Sequence, residues 1–379
     1  MQIHPLSAVL FSPQNQIENE KKVQNLIFDA SFMQFQSNIP TQFIWPEHEK
    51  PCLTRPPEFQ VPTIDLKGFL SGDMEAVSDA CLQVNEACKK HGFFLVANHG
   101  VNAKLIARAH ELMDDFFGLK LPQKQRAQRK IGEYCGYASS FTQRFPSKLP
   151  WKETLSFRYS ASDPSKKTVE EYFLSVMGDD FRQFGVVYQD YCEAMNNLSL
   201  WIMEILGMSL GVGSKYFRDF FEGNDSVMRL NYYPPCQRPD LALGTGPHCD
   251  PTSLTILHQD QVEGLQVFVD EKWYSVNPKQ DTFVVNIGDT FMVLTNGLYK
   301  SCMHRAVVNR KVVRKSLAFF LCPRMDKVVT SPKDLVNKEN PKLYPDFTWA
   351  SLLEFTQRHY RADTKTLDAF SMWLQETKK

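Results

Sequence analysis

The stretch at 231–259, NYYPPCQRPDLALGTGPHCDPTSLTILHQ, sets His248 and Asp250 two positions apart. A second stretch at 299–320, YKSCMHRAVVNRKVVRKSLAFF, carries His304 and then Arg314 and Ser316, again two apart. Side chains alternate faces along a strand, so each such pair points both its groups into one space. With His304 supplied from another strand, two imidazoles and one carboxylate would meet on one face of a metal and leave the opposite face open, the donor set of non-haem Fe(II) and oxygen chemistry. Alone the spacing is weak, because a chain with nine histidines shows His-x-Asp by chance and such a pair is more often a hydrogen-bonded strand end.

Arg314 changes the balance. Pointing inward with Ser316, it would be a buried cation in need of an anion, and its planar fork matches a carboxylate better than a lysine does. One small dianion fits all the parts. 2-Oxoglutarate would meet the iron through its keto-acid end and reach Arg314 and Ser316 with its far carboxylate. The keto-acid carboxylate offsets the positive charge left by Fe(II) and one aspartate, and a place remains for O2 beside the substrate. Tyr233, rather than Tyr232, is positioned to hydrogen-bond the cosubstrate, and Asn231 shares its strand face.

The runs NYYP at 231–234 and HCD at 248–250, with His304 and RKS at 314–316, resemble the plant 2-oxoglutarate and Fe(II)-dependent dioxygenases. LALGTGPHCDPTSLTILHQ at 241–259, LPWKETLSF at 149–157 and NIPTQFIWP at 38–46 narrow the resemblance to members that oxidise gibberellins at carbon 20, and it extends over the chain from about residue 28. The resemblance implies Fe(II), 2-oxoglutarate and O2, with ascorbate in support, and catalytic roles for His248, Asp250, His304 and Arg314. Its implied substrate is a twenty-carbon gibberellin, oxidised at carbon 20 from methyl to alcohol to aldehyde until that carbon is lost as a nineteen-carbon lactone forms. It also implies that Trp151, Lys152, Glu153 and Thr154 line the substrate pocket; as residues alone they read equally as a surface turn around a packed tryptophan. The substrate carboxylate needs a partner in a buried site, and Lys152 or a neighbouring polar group is expected to supply it. The alternatives are a related dioxygenase acting on another gibberellin carbon or a flavonoid-like metabolite, and a cupin-like binding protein whose triad holds zinc or nothing. Arg314 and Ser316 have no purpose in the last.

The chain has 379 residues, 43% hydrophobic and 12% aromatic, ample for a sizeable core. Lysine plus arginine equals aspartate plus glutamate at 43 each, which argues against a nucleic-acid or anionic-membrane partner. Nine cysteines, an odd number without a CxxC pair, argue against a disulfide framework and for a reducing, cytoplasmic location. Cys249 and Cys302 flank the ligands but fall off the facing side. No secretory leader or membrane-spanning run is read, and the polar residues 1–24 are expected to form a loose tail on a monomer.

The expected class is α+β, a double-stranded β-helix (jelly roll) flanked by N-terminal and C-terminal helices. Four regions are expected: an arm at 1–60, a mainly helical region at 61–225, the Fe(II)/2-oxoglutarate core at 226–325 and helices at 326–379. Helical periodicity predicts helices at 73–90, 102–119, 122–130, 174–212, 215–221, 348–358 and 364–374. Strands are predicted at 61–66 and 92–99, and eight more at 227–233, 253–258, 265–269, 273–276, 282–287, 291–295, 304–308 and 315–321. Gly264, Gly288 and Gly297 read as tight turns between strands, with Asn296-Gly297 as a hairpin. His91 and His99 read as structural hydrogen-bond donors rather than ligands.

Overall fold

The computed structural model describes residues 28–52, 54–140, 147–163, 165–358 and 366–377, so the tail expected at 1–24 lies outside the described residues. Twelve of the strands build two sheets: β1 (Thr63–Asp65), β2 (Phe93–Ala97), β3 (Gly136–Ser139), β4 (Glu153–Ser160), β5 (Asp225–Tyr233), β6 (Leu243–His248), β7 (Leu254–Gln259), β8 (Leu265–Val269), β9 (Lys272–Val276), β10 (Thr282–Ile287), β11 (His304–Val307) and β12 (Arg314–Leu321). The larger sheet runs β1-β2-β10-β7-β12-β5-β4-β3 and the smaller β6-β11-β8-β9. Strands β5 to β12 therefore divide four and four between two layers, the jelly roll, and β1 to β4 widen one layer. The wide sheet passes straight through the boundary expected at 225/226, with β4 paired to β5 from Glu153↔Tyr232 to Ser160↔Asp225.

Strand periodicity decides what each layer shows to each side. On β12, Leu317, Phe319 and Leu321 join the large apolar core outside the wide sheet, while Arg314, Ser316, Ala318 and Phe320 face the cavity between the layers. That outer core is closed by the helix Arg182–Ser209, which buries Tyr188, Tyr191, Met195, Leu198 and Ile202 against it. Its neighbours start where short polar side chains satisfy open backbone donors: Asp73 accepts from Glu75 N and Ala76 N, and Asn102 from Lys104 N. The pattern expected as one helix from 174 is two, Thr168–Met177 and Arg182–Ser209, parted at Gly178 with φ 82°, a left-handed step that glycine takes without strain.

Two other expectations fail. Residues 291–295 are not a strand: Asp289–Leu294 is a helix that buries Phe291, Val293 and Leu294. Asn296 and Gly297, at φ 49° and 77°, end that helix rather than turn a hairpin, and Gly297 N donates to Met292 O at 2.8 Å. A run of four apolar residues, Phe291 to Leu294, has too little period to separate the two. The missing eighth core strand is β6, LGTGPH, whose glycines and proline hide it. Those glycines make room for rings: a Cβ on Gly244 would lie 2.6 Å from the Tyr233 ring and one on Gly246 2.1 Å from the Trp45 ring.

Strand β4 is fixed by a buried charge pair. Glu153 accepts from Lys124 Nζ at 2.8 and 3.1 Å and from the Tyr137 hydroxyl, with both charged side chains almost wholly out of water. Removing one partner strands the other charge, which costs about 3 kcal/mol or more, whereas an apolar pair of similar volume is often nearly neutral. Glu153→Ala is expected to lower stability by about 3 kcal/mol, read as a shift of the urea midpoint at constant slope. The double variant Lys124→Met/Glu153→Leu is expected to recover most of that loss.

Candidate active site

Strands β6 and β11 pair antiparallel with His304 directly opposite His248, and the two rings lie 4.3 Å apart by centroid. Asp250, just past the end of β6, turns its carboxylate toward both: Oδ1 is 3.5 Å from His248 Nε2 and Oδ2 is 3.8 Å from His304 Nε2. All three ligand atoms lie within 4.8 Å of one another. Each imidazole is oriented from behind. Nδ1 of His248 sits 2.9 Å from Gly246 O and Nδ1 of His304 3.1 Å from Cys302 O. A carbonyl only accepts, so Nδ1 carries the proton and Nε2 turns its lone pair inward. Asp250 is held by Thr255 Oγ1 at 2.6 Å and Asn286 Nδ2 at 3.0 Å, both donating to Oδ2.

The electrostatics suit a cation. Burial raises the Asp250 carboxyl, but the His304 and His248 rings and donated hydrogen bonds outweigh it and hold the group well below the usual carboxylate range. Burial, reinforced by His248, pushes His304 down to about 4, so its ring is neutral at ordinary pH. Cys249 and Cys302 stay protonated, Cys302 pushed up to about 12 by burial, and neither belongs to the metal-binding group.

The opposite wall of the same cavity, about 550 Å³ in volume, presents Asn231, Tyr233, Arg314 and Ser316. Arg314 is buried. Its Nη2 donates to Gln259 Oε1 at 2.8 Å and its guanidinium carbon lies 5.1 Å from the Tyr233 ring centroid, yet Nε has no partner. Among the described residues no carboxylate lies within ion-pair distance of it. Asn231 Nδ2 donates to Ser316 Oγ at 3.3 Å. Gly264 is needed here for space rather than for a turn, since a Cβ would fall 2.6 Å from Arg314 Cδ. A buried cation with an orphaned N–H, next to a hydroxyl and opposite a two-histidine, one-carboxylate cluster, fits the far carboxylate of 2-oxoglutarate as the residues stand.

The run at 151–154 divides. Only Lys152 lines the cavity, its Nζ donating to Thr245 Oγ1 at 2.9 Å and lying 5.8 Å from the Tyr233 ring centroid. Trp151 instead packs between Phe28 and Phe43, with Nε1 donating to Pro235 O. Glu153 is committed to Lys124, and buried Thr154 is not in the lining. The surface-turn reading fails too, because all four are buried. His91 and His99 hold backbone in place, as expected of structural residues: Phe93 N and Val101 N donate to their Nδ1 atoms, and His99 itself donates to the Asp281 carbonyl. Thr245, Thr255, Gln259 and Asn286 were not singled out from the sequence, since hydroxyl and amide residues on strands carry no spacing signal of their own. Trp349 and Leu353, from the helix Trp349–Arg358, and Trp45, from the N-terminal arm, complete the lining.

This open facial triad between the layers of a jelly roll defines a non-haem iron oxygenase. Comparison with known proteins agrees. Residues 224–323 match the 2OG-Fe(II) oxygenase superfamily, and residues 61–176 match the non-haem dioxygenase in morphine synthesis N-terminal family. Gibberellin 20 oxidase 2 of Arabidopsis thaliana is 60% identical over 96% of this chain and 94% of its own, and gibberellin 20 oxidase 1-B of Triticum aestivum 62% identical over 92% and 95%. Among solved structures, JOX2 in complex with 2OG, Fe and JA superposes with a TM-score of 0.79 at 31% identity, covering 92% of this chain and 98% of that one. The chain belongs to the gibberellin 20-oxidase family of the 2OG-Fe(II) oxygenases. Its cofactors are Fe(II) and 2-oxoglutarate.

Replacing His248, Asp250 or His304 by alanine is expected to abolish stoichiometric Fe(II) binding in an anaerobic calorimetric titration. Thr255→Val, which removes one donor to Asp250, is expected to weaken Fe(II) binding by roughly 10–100-fold without abolishing it.

Proposed function

We propose that this protein oxidises twenty-carbon gibberellins at carbon 20, successively to alcohol and aldehyde and then with loss of that carbon, to give nineteen-carbon gibberellins. The observation that carries the reading is the buried Arg314 beside Ser316, with no carboxylate at ion-pair distance among the described residues, across one cavity from the His248, Asp250, His304 cluster. When bound, Fe(II) and 2-oxoglutarate supply the activation of O2, with 2-oxoglutarate oxidised to succinate and CO2 and an oxidising equivalent delivered to a C–H bond. The chain's residues do the rest. Nε2 of His248, Nε2 of His304 and the Asp250 carboxylate would hold the metal. Arg314 and Ser316 would hold the far carboxylate of the cosubstrate, with Tyr233 and Asn231 on the same wall. Val227, Phe320, Trp349 and Leu353 give the remaining space an apolar wall that excludes water from the reacting centre. Lys152, on Thr245 and beside Tyr233, belongs to the cosubstrate end.

Nine free cysteines fit a reducing compartment, here the cytoplasm, and among the described residues no helix is long and apolar enough to cross a membrane.

Incubation with twenty-carbon gibberellins, Fe(II), ascorbate and 2-oxoglutarate is expected to yield nineteen-carbon products by mass spectrometry; turnover of a flavonoid alone would contradict the reading. Arg314→Ala is expected to raise the 2-oxoglutarate KM by about a hundredfold or more, with little change in the gibberellin KM. Gly264→Ala, which crowds Arg314 without removing it, is expected to move the same constant in the same direction by less.

A further inference from the structure

The substrate end of the cavity contains a second guanidinium that the chemistry above does not use. Five cationic side chains line the cavity: Lys148, Lys152, Arg229, Arg305 and Arg314. Three are engaged or assigned. Lys148 pairs with Glu49 at 2.7 Å. Arg305 donates to Gln266 Oε1 and to the carbonyls of Glu49 and Lys50, and lies over the Trp273 ring at 4.0 Å. Arg314 faces the cosubstrate. Lys152 donates to Thr245 and is itself surrounded: burial first, then Arg229, Arg129 and Arg314, push its ammonium well below the usual lysine range, so it is a poor source of fixed positive charge.

Arg229 differs from all of these. Its Nε donates to Ser156 Oγ at 2.9 Å and its guanidinium carbon lies 5.3 Å from the Phe320 ring centroid, which fixes the plane of the fork. The two terminal nitrogens make no hydrogen bond among the described residues, and no carboxylate there lies within ion-pair distance. Burial pulls its pKa down, yet a guanidinium starts so high that it keeps its charge where an amine would lose it. The register fixes its place. Val227, Arg229, Asn231 and Tyr233 form one inward row on β5, opposite Phe320, Ala318, Ser316 and Arg314 on β12. Arg229 is thus one inward step beyond the Asn231 and Ser316 rung, next to the short side chain of Ala318, with Phe320 and Val227 on the far side. A ligand there has a fixed cation at one point and apolar surface around it.

We propose that Arg229, rather than Lys152, binds a carboxylate of the gibberellin and so orients the carbocyclic body toward the metal. The inference rests on the functional reading above and adds the residue that recognises the acid. It makes Arg229 a substrate-binding residue with no part in holding cosubstrate or iron.

The test is equilibrium binding of a twenty-carbon gibberellin, and of the same compound fully methyl-esterified, to the Fe(II) and 2-oxoglutarate holoenzyme without O2. Wild type, Arg229→Met and Arg229→Lys are compared, and the melting temperature and 2-oxoglutarate affinity of each are measured alongside. Wild type is expected to prefer the acid over the ester by on the order of a hundredfold, the scale of losing one partner of a buried charge pair. Arg229→Met is expected to erase that preference by weakening the acid alone, and Arg229→Lys to restore part of it, with 2-oxoglutarate affinity unchanged. A preference retained in Arg229→Met, or a loss of 2-oxoglutarate affinity in step with the acid, overturns the proposal while leaving the functional reading intact. A wild-type holoenzyme that binds 2-oxoglutarate but neither acid nor ester overturns the functional reading and this inference with it.

Discussion

An arginine that is buried without a carboxylate is the constraint on which the site depends. Arg314 is a guanidinium cation in a setting where an unpaired cation is strongly disfavoured, and the chain gives it an amide oxygen, the face of Tyr233 and a glycine's worth of room, but, among the described residues, no acid within ion-pair distance. A carboxylate brought by a ligand would complete it. The same logic in mirror image applies across the cavity, where the Asp250 carboxylate and two imidazoles gather donor atoms that suit a cation. A molecule with a carboxylate at each end, one toward iron and one toward Arg314, answers both demands.

The fold meets these demands with one geometric rule, used repeatedly. Alternation along β12 sends Arg314 and Ser316 inward and Leu317 and Phe319 outward, and alternation along β5 sends Arg229, Asn231 and Tyr233 inward beside them. A register slip of one residue on either strand would put leucines in the cavity and charges in the core. Outside, the helix Arg182–Ser209 and its neighbours bury the apolar halves of these strands, so the packing that stabilises the protein also holds the register that makes the site.

Much of this was legible before any coordinates. His248 and Asp250, and Arg314 and Ser316, declare themselves because chemistry-bearing residues two apart on a strand must share a face. What stayed hidden has physical reasons. Strand β6 carries His248, yet its sequence LGTGPH lacks strand-forming residues because rings from Tyr233 and Trp45 occupy the space its side chains would fill. The segment 289–294 is too short and too uniformly apolar for period to tell helix from strand. Trp151, Glu153 and Thr154 sit in a motif run, but where each side chain went depended on partners distant in sequence: Phe28 and Phe43 for the tryptophan, Lys124 for the glutamate. Arg229 did carry a signal, since it stands two before Asn231 and four before Tyr233 on the same inward row. Reading that row one step further would have exposed it.

The most direct test is a crystal structure of the protein with a divalent metal and 2-oxoglutarate. The account predicts metal bound by Nε2 of His248, Nε2 of His304 and the Asp250 carboxylate, with the far carboxylate of 2-oxoglutarate against the Arg314 guanidinium and the Ser316 hydroxyl. A cosubstrate whose far carboxylate lies on Arg229 or Lys152, with Arg314 still lacking an anion, would contradict it.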